Sequence, residues 1–359
     1  MQIIDAGISL PDHRVANRRG SVAVATWDQD AITLGSHAAL DVLDRNPDVA
    51  PTAIYFASTT APYAEGSNVG LIAEILGLAD RGVAGYELGG STAAGASALS
   101  LAMDRAGRRA VLVIAAEAGR SDGVRRFGDG AVALLLGRGG GAGSIDRAGH
   151  DLSWFMDRWR LDGADAVTQS DRSLRAVSPG KAFGAQRDVH VDDANPQLPR
   201  AGHLGSAAFL ASMLLAFEGK RKGTTVTASA SAGGVSFAFT VAADSATKQL
   251  AARVRAALDG GVDASPGRAP DLTGFDPYTS ESRRWRERAA DLRLEASVDS
   301  DGTLRYPPHG DGARVGLSRT GTVYTQTKDH VYPLGGPQSM AVVSLDGGGR
   351  FYGQVIDEG

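Results

Sequence analysis

The sequence predicts a layered α/β fold followed by a small all-β unit, and three observations carry that reading. Short apolar runs alternate with segments of helical period up to about residue 245. A proline- and glycine-rich stretch between 260 and 277 then interrupts the pattern. Beyond Leu294 only short alternating segments and glycine turns remain.

Met1–Gly7 (MQIIDAG) reads as a first strand and lacks the basic and apolar regions of a signal peptide. Ala53–Ala57 is a buried strand. Asn68–Leu78 carries apolar residues at 69, 71, 72, 75 and 76, the spacing of one helix face. Ala93–Ala106, rich in small residues, is helical. Ala110–Ala115 and Ala131–Leu136 are continuous apolar runs of the kind a sheet buries on both faces. This β-α-β-α-β rhythm predicts a mostly parallel sheet covered by helices. A second unit follows, with a buried helix over Ser206–Phe217, strands over Thr224–Ser229 and Val235–Val241 around Gly233-Gly234, and a helix over Ala246–Leu258. After the linker, residues 279–292 form a polar helix. Segments 312–325, 339–345 and 350–355, with the turn Gly347-Gly348-Gly349, predict a small β-barrel.

Composition narrows the function. With 43% hydrophobic residues in a chain of 359, a sizeable core is available. A net charge of −4 argues against a general nucleic-acid or membrane-surface binder. The basic run Arg283-Arg284-Trp285-Arg286 is read as a solvated helix face. No run of 18 apolar residues exists, so no membrane span is expected. The chain contains no cysteine. That excludes disulfides, a thiolate nucleophile and a cysteine zinc site, and it is compatible with the cytoplasmic location we expect.

Four segments carry a resemblance to the thiolase superfamily, in its ketoacyl synthase III and HMG-CoA synthase branch. Phe127–Leu136 (FGDGAVALLL) resembles the family's FGDGA motif. Phe56–Glu65 (FASTTAPYAE) resembles the strand and loop before the dimer helix. Gly90–Leu99 (GSTAAGASAL) resembles the nucleophile elbow and its helix. Gly202–Ala208 (GHLGSAA) resembles the GN-GSA loop. Order and spacing agree over residues 1–245. The resemblance implies a thiolase-like duplicated α-β-α layered fold over 1–258, with halves of about 1–146 and 147–258, then a linker and helix over 259–293. Gly321–Thr327, Met340–Asp346 and Gly349–Val355 resemble the OB-fold domain that accompanies acyl-CoA thiolases and archaeal HMG-CoA synthase, which implies an OB-type barrel over 294–359. A four-cysteine zinc ribbon usually precedes that barrel. Here Leu304–Asp311 keeps the paired prolines without cysteine, so the ribbon is lost or metal-free.

Claisen-type condensation needs a nucleophile to hold an acyl group, a group to form or stabilise a carbanion, and an oxyanion hole. The resemblance places Thr92 at the position of the family's cysteine, with Ser91 beside it. Either hydroxyl is a candidate nucleophile, and either also suits a helix cap. The HMG-CoA synthase glutamate falls at Thr59, near the loop carboxylate Glu65. His203 stands where the family has asparagine; it is read as a donor to a substrate carbonyl, or as a loop histidine satisfied by backbone. The family's catalytic histidine precedes a helix whose end Lys181–Gly184 resembles. The span from Arg172 to Gly202 is too short for that unit, which leaves His190 on a later strand as a candidate. Thr59, Phe127, Gly128, Gly205 and Ser206 are implied substrate-binding positions, with a scaffold role as the alternative for the Phe127–Gly130 loop. Asp192-Asp193 are read as loop charges and Gly139–Gly143 as a turn. No metal or cofactor is expected; the implied substrate is an acyl-CoA or acyl-carrier-protein thioester.

Three functions remain open. The chain is a degenerate subunit that completes the acyl-thioester site of a cysteine-bearing thiolase-fold partner, as homodimer or heterodimer, with an acyl carrier protein as a further partner. Alternatively it is a self-sufficient acyltransferase using Thr92 or Ser91 with His203, or a scaffold.

Overall fold

The structure is a computed structural model that describes residues 1–18, 20–105, 109–119, 127–154, 158–159, 168–169, 187–193, 195, 197–267, 280–330 and 337–355. The chain divides into two units, Met1–Pro266 and Gly267–Gly359.

The first unit begins with β1 (Gln2–Ser9), the hairpin β2 (His13–Asn17) and β3 (Gly20–Val24), and α1 (Ala31–Arg45). It continues through β4 (Ala53–Ala57), α2 (Asn68–Ile75), β5 (Ala84–Leu88), α3 (Ala94–Arg105), β6 (Val111–Glu117) and β7 (Gly130–Gly137). Then come β8 (Gly143–Leu152), the short ribbon β9 (Arg158–Trp159) and β10 (Thr168–Gln169), and β11 (Val189–Val191). A 3-10 turn at Gly205–Ala207 leads into α4 (Ala208–Leu215), β12 (Thr225–Ala232), β13 (Val235–Ala243) and α5 (Thr247–Asp259).

Nine strands form one sheet in the order β11-β12-β13-β8-β1-β7-β6-β4-β5. The expectation of a mostly parallel sheet is corrected. Only β4 with β5, β4 with β6, and β11 with β12 run parallel; the other neighbours are antiparallel. The cause lies in the connections. A parallel pair needs a long crossover, whereas β12 and β13 are joined by the short turn at Gly233-Gly234 and reverse direction, and β1 lies antiparallel between β7 and β8.

The sheet repeats itself. Reading inward, β4, β6, β7 and β1 pair parallel, antiparallel, antiparallel, and so do β11, β12, β13 and β8. β11 therefore takes the place in the second half that β4 takes in the first. Among the described residues β5 has no counterpart beyond β11. Residues 170–186, including Lys181–Gly184, lie outside the described residues, and so does most of the span expected to be shortened.

Alternation along the central strands separates two cores. On one face, Leu112 and Ile114 of β6 and Ala131, Ala133 and Leu135 of β7 pack against α1 and α2. On the other, Val111, Val113 and Ala115 with Val132, Leu134 and Leu136 join α3, α4 and α5 and the inner residues of β12 and β13. The elements unread in the sequence include the hairpin β2–β3, α1, β5, β8 and the ribbon β9–β10. α1 carries a plain start signal, since Asp30 accepts from Thr33 N–H at 2.7 Å. β5 (AGYEL) hides because it is an exposed edge strand, and β8 because its outer half is polar.

The second unit opens with α6 (Glu281–Arg293), capped by Ser280, whose Oγ accepts from Arg283 N–H at 3.3 Å. It ends at Leu294, in the left-handed region at φ 50°. β14 (Glu295–Val298), β15 (Leu304–Arg305) and β16 (Ala313–Gly316) form one antiparallel sheet. β17 (Gly321–Asp329), β18 (Gln338–Leu345) and β19 (Arg350–Gln354) form another. The all-β content agrees with the sequence; the described hydrogen bonds draw two three-stranded sheets. Among the described residues no helix is long and apolar enough to cross a membrane.

One buried carboxylate ties the first unit together. Asp5 of β1 accepts from Arg45 of α1 at 2.8 Å, from Arg253 of α5 at 2.7 Å and from Asn46 at 3.0 Å. Burial pushes its carboxyl up, but the hydrogen bonds from Arg45, Arg253 and Ala6 N–H outweigh that and hold it below the ordinary carboxylate value. A depressed carboxyl stabilises the fold above its unfolded value and loses that contribution as pH falls through the folded one. Asp5→Ala is expected to lower the unfolding free energy by about 3 kcal/mol at pH 7. In urea titrations the gap to wild type should narrow below about pH 4.

Candidate functional site

The site forms where the carboxyl ends of β4, β5, β6 and β11 meet the 3-10 turn before α4. β5 runs into Gly89-Gly90, and Gly90, at φ 86°, turns the chain into α3. This is the strand-to-helix elbow that the sequence places at Gly90–Leu99. Ser91 closes the turn that leads into the helix, its Oγ accepting from Ala93 N–H at 3.3 Å and its carbonyl from Ala94 N–H at 3.0 Å. Thr92 is free of that duty and is only 3% exposed. Its hydroxyl donates to Asp193 at 2.5 Å, across from the other half of the chain. The paired acids are thus more than loop charges: Asp193 reaches the elbow, and Asp192 caps its own turn by accepting from Asn195 N–H at 2.9 Å.

His203 is fully buried, and backbone holds both ring nitrogens. Nδ1 accepts from Gly205 N–H at 3.0 Å, so Nε2 carries the proton and donates to the Asp192 carbonyl at 2.6 Å. The donor that the sequence reading assigns to a substrate is given to the backbone that carries Asp193. Phe127 packs edge-on against the His203 ring at 5.0 Å, and Gly128 N–H donates to the His203 carbonyl at 3.0 Å. Asp129 accepts from Gly119 N–H at 2.9 Å and from Ala25 N–H at 2.8 Å. The Phe127–Gly130 loop is therefore a brace for the histidine.

The sequence reading missed Glu117. It is fully buried at the end of β6 and collects donors from two segments. Thr59 gives its N–H at 3.1 Å and its hydroxyl at 2.9 Å. Thr60 gives its hydroxyl at 2.7 Å, and Ser206 its N–H at 3.0 Å. Ser206 Oγ donates to the Ala57 carbonyl at 3.1 Å. Thr59, Gly205 and Ser206 are brought together, around a carboxylate instead of an open pocket. The signal was available: an acid that ends the apolar run VLVIAA is a charge with nowhere to go but inward. Glu65 is exposed, as expected.

Two glycines allow this assembly. A Cβ at Gly95 would lie 2.1 Å from the Ser206 carbonyl oxygen, so only glycine lets α3 approach the turn. Gly205 sits at φ 53°, and a Cβ there would lie 2.5 Å from Glu117 Cγ.

His190 lies on β11. Its Nδ1 is 2.9 Å from Ser229 Oγ, and its Nε2 is 3.3 Å from Ser231 Oγ and 4.0 Å from the Asp192 carboxylate. Burial pushes the imidazole below its ordinary value and Asp192 offsets this only in part, so it is neutral at pH 7. A cleft of about 340 Å³ beside it is lined by Val189, Leu198, Ser212 and Leu215, and by no residue of the elbow. Among the described residues no group of three or more His, Asp or Glu is placed to hold a metal.

A doubled β-α-β layering with an elbow at α3 is the thiolase-type layered fold. Solved structures agree. An HMG-CoA synthase complexed with CoA matches with TM-score 0.60 and 13% identity over 99% of this chain and 100% of that one. The HMG synthase of the curacin biosynthetic pathway, in complex with acetyl donor-ACP, matches with TM-score 0.59 and 17% identity over 74% of this chain and 86% of that one. The 3-oxoacyl-[acyl-carrier-protein] synthase III of Aquifex aeolicus matches with TM-score 0.54 and 18% identity over 68% of this chain and 99% of that one. At these identities the likeness is one of fold. No protein-family model and no curated protein sequence matches the chain.

Removing the Glu117 carboxylate strands several buried donors at once. Glu117→Ala is expected to cost about 3 kcal/mol or more, and Glu117→Gln less, because an amide oxygen still accepts. Thermal and urea unfolding of the two variants should separate them in that order.

Proposed function

We propose that this chain is a degenerate HMG-CoA synthase-like subunit of an acyltransferase complex, which shapes the acyl-thioester site of a cysteine-bearing thiolase-fold partner. One observation carries the reading. The groups at the three positions where the resemblance expects chemistry are spent on the chain itself. Thr92 gives its proton to Asp193, His203 engages backbone through both nitrogens, and Thr59 donates to Glu117. A threonine hydroxyl is a far weaker nucleophile than a thiolate without a strong base, and a neutral imidazole with both nitrogens bonded has no site to take a proton.

The partner's substrate in this reading is an acyl-CoA or acyl-carrier-protein thioester. The similar structures solved with CoA and with acetyl donor-ACP support that class. The two antiparallel sheets of the second unit support reading it as an OB-type domain carried into the complex. A second reading rests on the 2.5 Å Thr92–Asp193 contact, in which Asp193 serves as base and Thr92 takes the acyl group.

The test is reconstitution. The chain is co-expressed with a thiolase-fold protein that is encoded beside it and carries the cysteine. Transfer from acetyl-CoA and from acetyl-loaded carrier protein is then measured with and without this chain. At least tenfold faster transfer with the chain present is expected, with the acyl adduct on the partner's cysteine alone by intact mass. Turnover by the isolated chain, lost in Thr92→Ala, would establish the second reading instead.

A further inference from the structure

We propose that Asp193 is a latch that closes the α3 elbow to any group that becomes negatively charged there, so that the elbow opens only when the Asp192–Asp193 strap is displaced. The proposal rests on the subunit reading above and explains it physically.

The turn into α3 is closed by Ser91, and the Thr92 hydroxyl is directed to a different partner. It donates to Asp193, which lies 101 positions further along the chain. The positive end of a twelve-residue helix draws an anion to its first turn. Here the chain supplies that anion from its second half.

The strap that carries Asp193 is fixed on both sides. Buried His203 donates to the Asp192 carbonyl at 2.6 Å, and Asp192 exchanges backbone hydrogen bonds with Asn195 at 2.9 and 3.3 Å. The strap is positioned by the repeat itself. Because β11 occupies the place in the second half that β4 holds in the first, its carboxyl end arrives at the elbow directly.

Acyl transfer by a thiolate starts from a negative charge on the attacking atom and, as that pair forms the new bond, builds one on the carbonyl oxygen. A carboxylate held against residue 92 opposes both, and it takes the hydrogen bond that a substrate would need. The latch therefore excludes thioester chemistry by charge and hydrogen bonding, with no steric wall required. Among the described residues, the ionisable groups beside the strap include His190, 4.0 Å from the Asp192 carboxylate, and His203.

The absence of cysteine makes a clean probe possible, because Thr92→Cys introduces the sole thiol of the chain. Its alkylation by iodoacetamide at pH 7.5 reports thiolate at the elbow without assuming any substrate. Thr92→Cys/Asp193→Asn keeps the shape of the latch and removes its charge, and is expected to react at least tenfold faster than Thr92→Cys. Thr92→Cys/Asp193→Glu keeps the charge and should stay slow. Glu65→Cys, on the exposed loop, should react alike with and without Asp193→Asn. Equal rates for the Asn and Asp forms overturn the latch and leave the subunit reading standing. Fast reaction of both the Asn and the Glu forms also overturns it, since that marks loosening and not charge. An acyl adduct on Thr92 of the wild-type chain without a partner overturns both.

Discussion

A carboxylate with no access to water sets the geometry of the site. Glu117 ends the central strand β6 inside the protein, and its oxygens need donors there because an unpaired buried charge is prohibitively costly. The donors come from the loop after β4 and from the 3-10 turn before α4. Two of the four segments that resemble thiolase motifs are therefore pinned to one another by one side chain. Gly205 sits in the left-handed region, and Glu117 fills the space that a Cβ there would need. His203 is then fixed by the Gly205 N–H, and the strap bearing Asp193 is fixed by His203.

Much of the layering was legible in residues. The apolar runs of β6 and β7 have partners on both faces and, like β4, are buried throughout. Strand direction was not legible, because it depends on whether a helix or a short turn fills each connection. The elbow and the turn before α4 were readable through glycines that close packing demands. The roles of their polar residues were not. Hydroxyl and imidazole groups look alike in sequence whether they face a substrate or each other, and Thr92 and Asp193 lie far apart in the chain. Only the fold of the second half brings them into contact.

The same local economy explains why the site is inert in the reading proposed above. The polar groups placed at the elbow are hydrogen-bonded within the chain, Thr59 and Ser206 to Glu117 and Thr92 to Asp193. A catalytic pocket normally keeps some donors or acceptors unsatisfied until the substrate arrives. Here Thr59, Thr92 and His203 have each found a permanent partner.

The edge strand β5 has a different consequence. It borders the nine-stranded sheet with Tyr86 and Glu87 exposed, and among the described residues no strand lies on its outer side. An open, unblunted border of this kind templates unwanted pairing. Glu87 is the one charge on the strand, and it is occupied with Asn68 and the Val69 N–H. Produced by itself, the chain should be prone to clumping and poor yield, and a companion that covers this border would keep it in solution.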